Sequence, residues 1–223
     1  MVIAFGNQKG GVGKSTICLT LATYWASRGK TLHVIDADMQ QSLKIARDLE
    51  LEEDPTLNPP FPIDLILLRD LAKVLPEMSR SEDKILMIDL PGTYDNDVAL
   101  VLCYADFIIV PFAYEDWSLE STSKFATYID IVDEMFPKDN RTAIFVPNHV
   151  NKKIGRKEDL ENWQEWRDEI ASKVTLAPMI PFRACIQRRS SIFHHQDIES
   201  CTEECYSFIS NLIFKDNPLT NDK

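Results

Sequence analysis

The chain has 223 residues, 44% of them hydrophobic, with a net charge of −11 and five cysteines. That length suits one α/β domain with a sizeable core better than two small domains. The acidic balance argues against a surface that coats nucleic acid along its whole extent, no apolar run approaches the ~20 residues of a membrane span, and an odd, scattered set of thiols fits a reducing cytoplasm better than a disulfide framework.

In chain order, apolar runs at 2–5, 32–36, 63–68, 85–90, 107–111, 143–146 and 176–180 read as strands. Several are continuous Val/Ile/Leu runs, as strands buried on both faces are. Helices are predicted over 17–27, 41–51, 71–78, 97–104, 118–135, 160–173 and 202–214. The first is marked by Ile17, Leu21 and Trp25 and stopped by Gly29. The alternation predicts an α/β fold: a single-domain, doubly wound, mostly parallel sheet with helices on both faces. The first residues run straight into a strand with no basic segment ahead of an apolar one, so no secretory signal is expected. Four prolines between 54 and 62 mark a loop too short to link domains. The domain is expected over 1–214, with a polar, frayed tail at 215–223.

The chemistry begins after the first strand, at Lys9-Gly10-Gly11-Val12-Gly13-Lys14-Ser15-Thr16. A strand, a glycine-rich turn and a helix N-terminus make a phosphate cradle. Inward-pointing amides and the partial positive charge of the helix end meet the anion, and Lys14 adds a full charge. Ser15 can offer its hydroxyl to magnesium. The strict phosphate-loop pattern asks for glycine where this chain has Gln8, and a second lysine, Lys9, precedes the glycines. Asp36 and Asp38 follow the second strand, at the strand end where open α/β sheets bind ligands. Beside a triphosphate, one such carboxylate can hold magnesium through water and the other can position the attacking water. The strand at 85–90 ends in Asp89, whose carboxylate faces the magnesium shell in such an arrangement, followed by Pro91-Gly92. A glycine there lets a backbone N–H approach the terminal phosphate.

Together these segments resemble the deviant Walker A ATPases of the ParA/MinD family, over residues 1 to about 189. The resemblance implies a phosphate-loop NTPase that binds ATP with Mg2+, hydrolyses it slowly, and pairs as an ATP-bound homodimer. It implies that Lys9 reaches the partner's nucleotide, that the loop from Gly10 to Thr16 holds phosphates, and that Asp38, in the switch I segment, positions water. Met39 stands where that family commonly has proline. Gly92 falls in the switch II turn. Asn148, at the end of a later strand, corresponds to the family's adenine-reading asparagine, with a turn-forming asparagine as the other reading. Pro181 matches a late segment that passes beside the base. The biological role implied is partition of DNA, of a plasmid or conjugative element, with a ParB-like DNA-binding activator. Direct DNA contact would be nonspecific and ATP-dependent, through Arg183, Arg188 and Arg189, which fall where the family carries such contacts. No membrane partner is expected. A MinD-like positioner would want a basic amphipathic C-terminal helix, whereas 201–223 carries Glu203, Glu204, Asp216 and Asp222 against Lys215 and Lys223. A metal or small-molecule enzyme on the same scaffold is the other alternative.

Several features have plainer readings. Lys152, Lys153, Arg156 and Lys157 are a solvated face or a patch, as are the three late arginines. Trp163 and Trp166 read as core first and partner surface second. Phe112 and Leu119 read as core, and Cys103 as buried. Cys201 and Cys205 share a helix face without zinc-knuckle spacing, and adjacent His194 and His195 diverge on a helix.

Overall fold

In a computed structural model, the described residues are 1–80, 84–93, 95–113, 116–150, 174–188 and 191–215, with the side chains of 116–118, 187 and 188 left out. The strands are β1 (Val2–Phe5), β2 (Leu32–Asp36), β3 (Ile63–Leu65), β4 (Ile85–Asp89), β5 (Phe107–Phe112), β6 (Thr142–Pro147) and β7 (Thr175–Leu176). They form one seven-stranded sheet in the order β3-β2-β4-β1-β5-β6-β7. Every pairing among the described residues is parallel, in keeping with the predicted doubly wound, mostly parallel sheet.

Helices cover both faces: α1 (Lys14–Ala26), α2 (Ser42–Glu53), α3 (Leu68–Met78), α4 (Asn96–Tyr104), α5 (Asp116–Met135), the short α6 (Ala184–Arg188) and α7 (Gln196–Ile213). The two-residue period of the strands divides the core. Ile3 and Phe5 of β1, Met87 of β4 and Ile144 of β6 face α1 and α7. Val2, Ala4, Ile88 and Phe145 face α3, α4 and α5. Phe112 is buried there and Leu119 packs against the same layer, as predicted. Cys103 is only partly buried, because it sits in the last turn of α4 at the edge of that layer.

Several boundaries differ from those expected, some for plain local reasons. α1 begins at Lys14 because left-handed Gly13 already accepts from the Ile17 amide at 2.8 Å. α7 begins at Gln196, with Asp197 and Glu199 in its first turn, where acidic groups suit the helix dipole. β3 stops at Leu65, and α3 starts at Leu68. β7 stops at Leu176, because Pro178 has no amide to continue the ladder.

α1 is buried continuously from Ile17 to Trp25 and so has no solvent face there. α7 encloses it. The hydroxyls of Thr20 and Tyr206 lie 2.5 Å apart. Trp25 Nε1 donates to Ser210 Oγ at 2.8 Å, and the Phe214 ring meets Trp25 edge-on at 5.2 Å. Each large side chain fully buried in such a seam contributes about 1.5–3 kcal/mol. Among the described residues no helix is long and apolar enough to cross a membrane. The predicted helix at 160–173, the Lys152–Lys157 cluster, both tryptophans at 163 and 166, Arg189, and tail residues 216–223 lie outside the described residues.

Candidate nucleotide site

β1, β2 and β4 end together, with Phe5 and Asp36 each in register with Asp89. Here strand order reverses about β1, which is where open α/β sheets place their ligands. An open cleft of about 790 Å³ lies over these ends. Gly10, Gly11, Gly13, Lys14, Ser15 and Thr16 form one wall, and Asp38, Pro91, Gly92, His149 and Ile186 face them. Lys9, Val12, Asp36, Asp89, Asn148, Pro181 and Arg183 are not part of that lining.

The loop's curl depends on two glycines with positive φ, Gly11 at 77° and Gly13 at 96°. Gly13 is also a close approach: a Cβ there would lie 2.2 Å from Asn148 Nδ2. Asn148 is 2% exposed and donates to the Val12 carbonyl at 2.8 Å, so it props the loop from beneath. Gly92 is needed for proximity, since a Cβ would stand 2.9 Å from the Gln8 carbonyl oxygen and 3.7 Å from Lys14 Nζ. Lys14 Nζ donates to the Lys9 carbonyl at 3.4 Å. Burial lowers the Lys14 pKa, while Asp89 and Asp38 pull it back up.

The carboxylates differ sharply in their surroundings. Asp36 Oδ2 accepts from Leu43 and Lys44 amides at 2.9 and 3.1 Å, and Oδ1 accepts from the Asp38 amide at 3.3 Å. It therefore caps α2, whose own cap residue, left-handed Gln41, makes no side-chain cap bond. Burial raises the Asp36 pKa, and those three amides oppose the rise. Asp38 stands at the cleft, its Oδ1 accepting from the Gln40 amide at 2.9 Å. Asp89 is fully buried, and among the described residues no donor meets either carboxylate oxygen in hydrogen-bond geometry, though the Ser15 hydroxyl lies near enough to ease its charge. Burial pushes its pKa up to about 7, against the relief given by the neighbouring Ser15 hydroxyl and Lys14. A buried, orphaned carboxylate beside a hydroxyl and a second carboxylate is a set of hard oxygen donors that fits Mg2+. Among the described residues there is no cluster of three or more His, Cys, Asp or Glu side chains placed to hold a metal by themselves, so substrate oxygens or water would have to complete the shell.

A model of the CobQ/CobB/MinD/ParA nucleotide binding domain matches residues 3–191. The chain belongs to this family. The chromosome-partitioning ATPase Soj of Thermus thermophilus is 26% identical over 144 residues, 54% of this chain and 58% of Soj, so the match spans less than two thirds of that relative. A protein assigned to plasmid partition from Borrelia burgdorferi B31, solved with AMPPNP, superposes with a TM-score of 0.72 at 19% identity, covering 96% of this chain and 98% of that one. An McdA variant from Cyanothece, solved with ATP, gives 0.73 at 14% identity, with 95% of each chain covered. At these identities the structural likeness is one of fold.

Within this family member, several site residues escaped sequence reasoning, Ser42 and Thr93 of the cleft's lining among them. His149 lines the cleft from a left-handed backbone (φ 58°), and Ile186 closes it from α6. Neither carries a signal in sequence. Asn7 did carry one, as a polar residue directly between an apolar strand and the glycine turn. It is 1% exposed, and its amide donates to the Pro111 carbonyl at 2.8 Å and Thr122 Oγ1 at 3.0 Å, while its Oδ1 accepts from the Lys9 amide at 3.2 Å. One side chain thus ties the loop to β5 and α5. Asn7→Ala strips these bonds and orphans buried groups worth about 1–3 kcal/mol each. The variant should melt several degrees lower in a thermal scan. It should also bind a fluorescent ATP analogue about tenfold more weakly than wild type; an unaltered affinity would show that the phosphate loop needs no such anchor.

Of the late arginines, Arg183 is exposed with its guanidinium beside the Cys201 thiol. Arg188 ends α6, and its side chain is outside the described set. Pro181 is bridged to Val150, and the Phe182 amide donates to the Val150 carbonyl at 3.0 Å. This brings the late segment beside the end of β6, near Asn148.

Proposed function

We propose that this protein is an ATP-dependent dimerisation switch with slow, partner-stimulated ATPase activity, acting in the partition of DNA such as a plasmid or mobile element. The observation that carries the reading is the pair of loop lysines. Lys14 lines its own cleft. Lys9 has its backbone held at both ends, by Asn7 and by Lys14 Nζ, yet is absent from the lining of that cleft. A lysine so placed is suited to a second subunit's phosphates.

In this reading Lys14 and the amides of Gly10 to Thr16 bind phosphate, Gly92 reports the terminal phosphate, and Asp38 orients the attacking water. Ser15 and, through water, Asp36 and Asp89 would hold Mg2+, which would supply positive charge beside the phosphates. With its Nδ2 spent on Val12, Asn148 would offer Oδ1 to the exocyclic amine of adenine, beside the Pro181 backbone. A ParB-like activator and nonspecific DNA are the proposed partners, with Arg183, Arg188 and Arg189 as the DNA contacts. A net charge of −11 requires such a patch to be local, so binding should demand the dimer and fall steeply with salt.

The test compares wild type, Asp38→Ala and Lys9→Gln with Mg-ATP by sizing, turnover and gel shift on random duplex. Asp38→Ala should bind ATP, lose about 100-fold in turnover, and accumulate as a dimer that shifts DNA at low salt. Lys9→Gln should keep ATP affinity within about threefold, the range expected when a contact to another subunit is lost, and stay monomeric. Normal hydrolysis by Asp38→Ala, or normal pairing by Lys9→Gln, defeats the switch reading. A dimer that never shifts DNA defeats the DNA role alone.

A further inference from the structure

The five cysteines divide by environment. Cys18 and Cys205 are buried, and burial pushes both thiols well above their ordinary range, which makes them inert. Cys103 lies on α4, on the face of the sheet opposite α7. Cys185 and Cys201 are different: both are partly exposed, and their Sγ atoms lie 3.8 Å apart, in van der Waals contact. Cys185 is the second residue of α6, next to Ile186, which lines the nucleotide cleft. Cys201 is in α7, the helix that encloses α1. Cys185 Sγ also faces the Asp197 carbonyl at 3.9 Å, in the first turn of α7.

We propose that Cys185 and Cys201 are a reversible modification site, a paired dithiol that small disulfides of the glutathione class oxidise to an intramolecular disulfide joining the cleft wall to α7. The exchange balances without any further reactant. Cys185, as thiolate, attacks one sulfur of the small disulfide; that S–S bond breaks, and the first small thiol leaves as thiolate and takes a proton. Cys201 then loses its proton and attacks Cys185 Sγ, the mixed disulfide breaks, and the second small thiol departs. The two protein thiols are oxidised, and one small disulfide is reduced to two thiols. Cys201 suits the second step. Burial and the Cys185 neighbour raise its pKa, so it waits protonated, and the Arg183 guanidinium favours its thiolate when the mixed disulfide is presented. The sulfurs must close from 3.8 Å to about 2.0 Å, a movement within reach of side-chain rotation and of a five-residue helix.

The experiment incubates the reduced full-length protein with excess oxidised glutathione, then reads intact mass and a non-reducing peptide map. Wild type should lose about 2 Da, with peptides containing Cys185 and Cys201 linked, and recover on adding dithiothreitol. Cys201→Ser, a conservative change at a partly exposed position, should instead retain one glutathione on Cys185, a gain of about 305 Da, whereas Cys185→Ser, which lacks the attacking thiolate, should stay reduced at Cys201. Two separate adducts on wild type, or a wild type left fully reduced at both positions, would overturn the proposal. Either result is independent of whether the protein hydrolyses ATP.

Discussion

Lys14→Ala should lose ATP binding by about 100-fold or more, a cost near 3 kcal/mol or above, because it removes the one fixed cation among the described residues that line the anion cradle. The loop's amides remain, so residual binding through the helix N-terminus is expected. The substitution has a second consequence inside the apo protein. Lys14 is one of the groups that lower the Asp89 pKa. Without it, the buried carboxylate is held still more firmly in its protonated form, and metal-dependent binding should shift to higher pH. Calorimetry with Mg-ATP at two pH values, alongside circular dichroism to verify folding, measures both effects. An ATP affinity equal to wild type would remove the phosphate site from this loop.

Asp89→Asn should stabilise the ligand-free chain at pH 8 while destroying metal-dependent nucleotide binding. The carboxyl titrates near 7 in the folded chain against an ordinary value of 3.8. Below about pH 4 it is protonated in both states and carries no penalty. Between about 4 and 7 the folded chain keeps a proton that the unfolded chain has shed, so stability declines as pH rises. Above about 7 the carboxylate is ionised in both states, and the whole penalty, about 4 kcal/mol at most, is in force. The amide removes that charge but remains a polar group in a dry place, which costs about 1–3 kcal/mol. The net gain at pH 8 should therefore be about 1–3 kcal/mol, several degrees in melting temperature for a domain of this size, and it should vanish or reverse near pH 4. Melting curves of both proteins from pH 4 to 8, without metal or nucleotide, decide the matter. Parallel pH profiles would mean that Asp89 is not a buried carboxyl whose ionisation costs stability.

The residues that touch phosphate were legible because their chemistry is local. Gly11 and Gly13 bend the chain by their own φ angles, Lys14 opens the helix beside them, and an apolar run before Lys9 is enough to place the turn at a strand end. The same holds for Asp36, Asp38 and Asp89, each at the last residues of an apolar strand or directly after it. Sheet class was legible too, from continuous Val/Ile/Leu runs separated by helical periods. Strand order was not, since the β3-β2-β4-β1-β5-β6-β7 arrangement depends on which helix faces pack together across the sheet. Tertiary structure alone also decided what the polar groups do. Asn148 is a prop under Val12, from a residue 136 positions away. Asp36 is the cap of α2, and Asn7 joins three segments through one amide. Cys185 and Cys201 meet only because α6 is laid against α7. Spacing along a chain encodes backbone conformation over a few residues, whereas the partner of a buried hydrogen bond or thiol is chosen by the packing of distant elements, and no local pattern carries that choice.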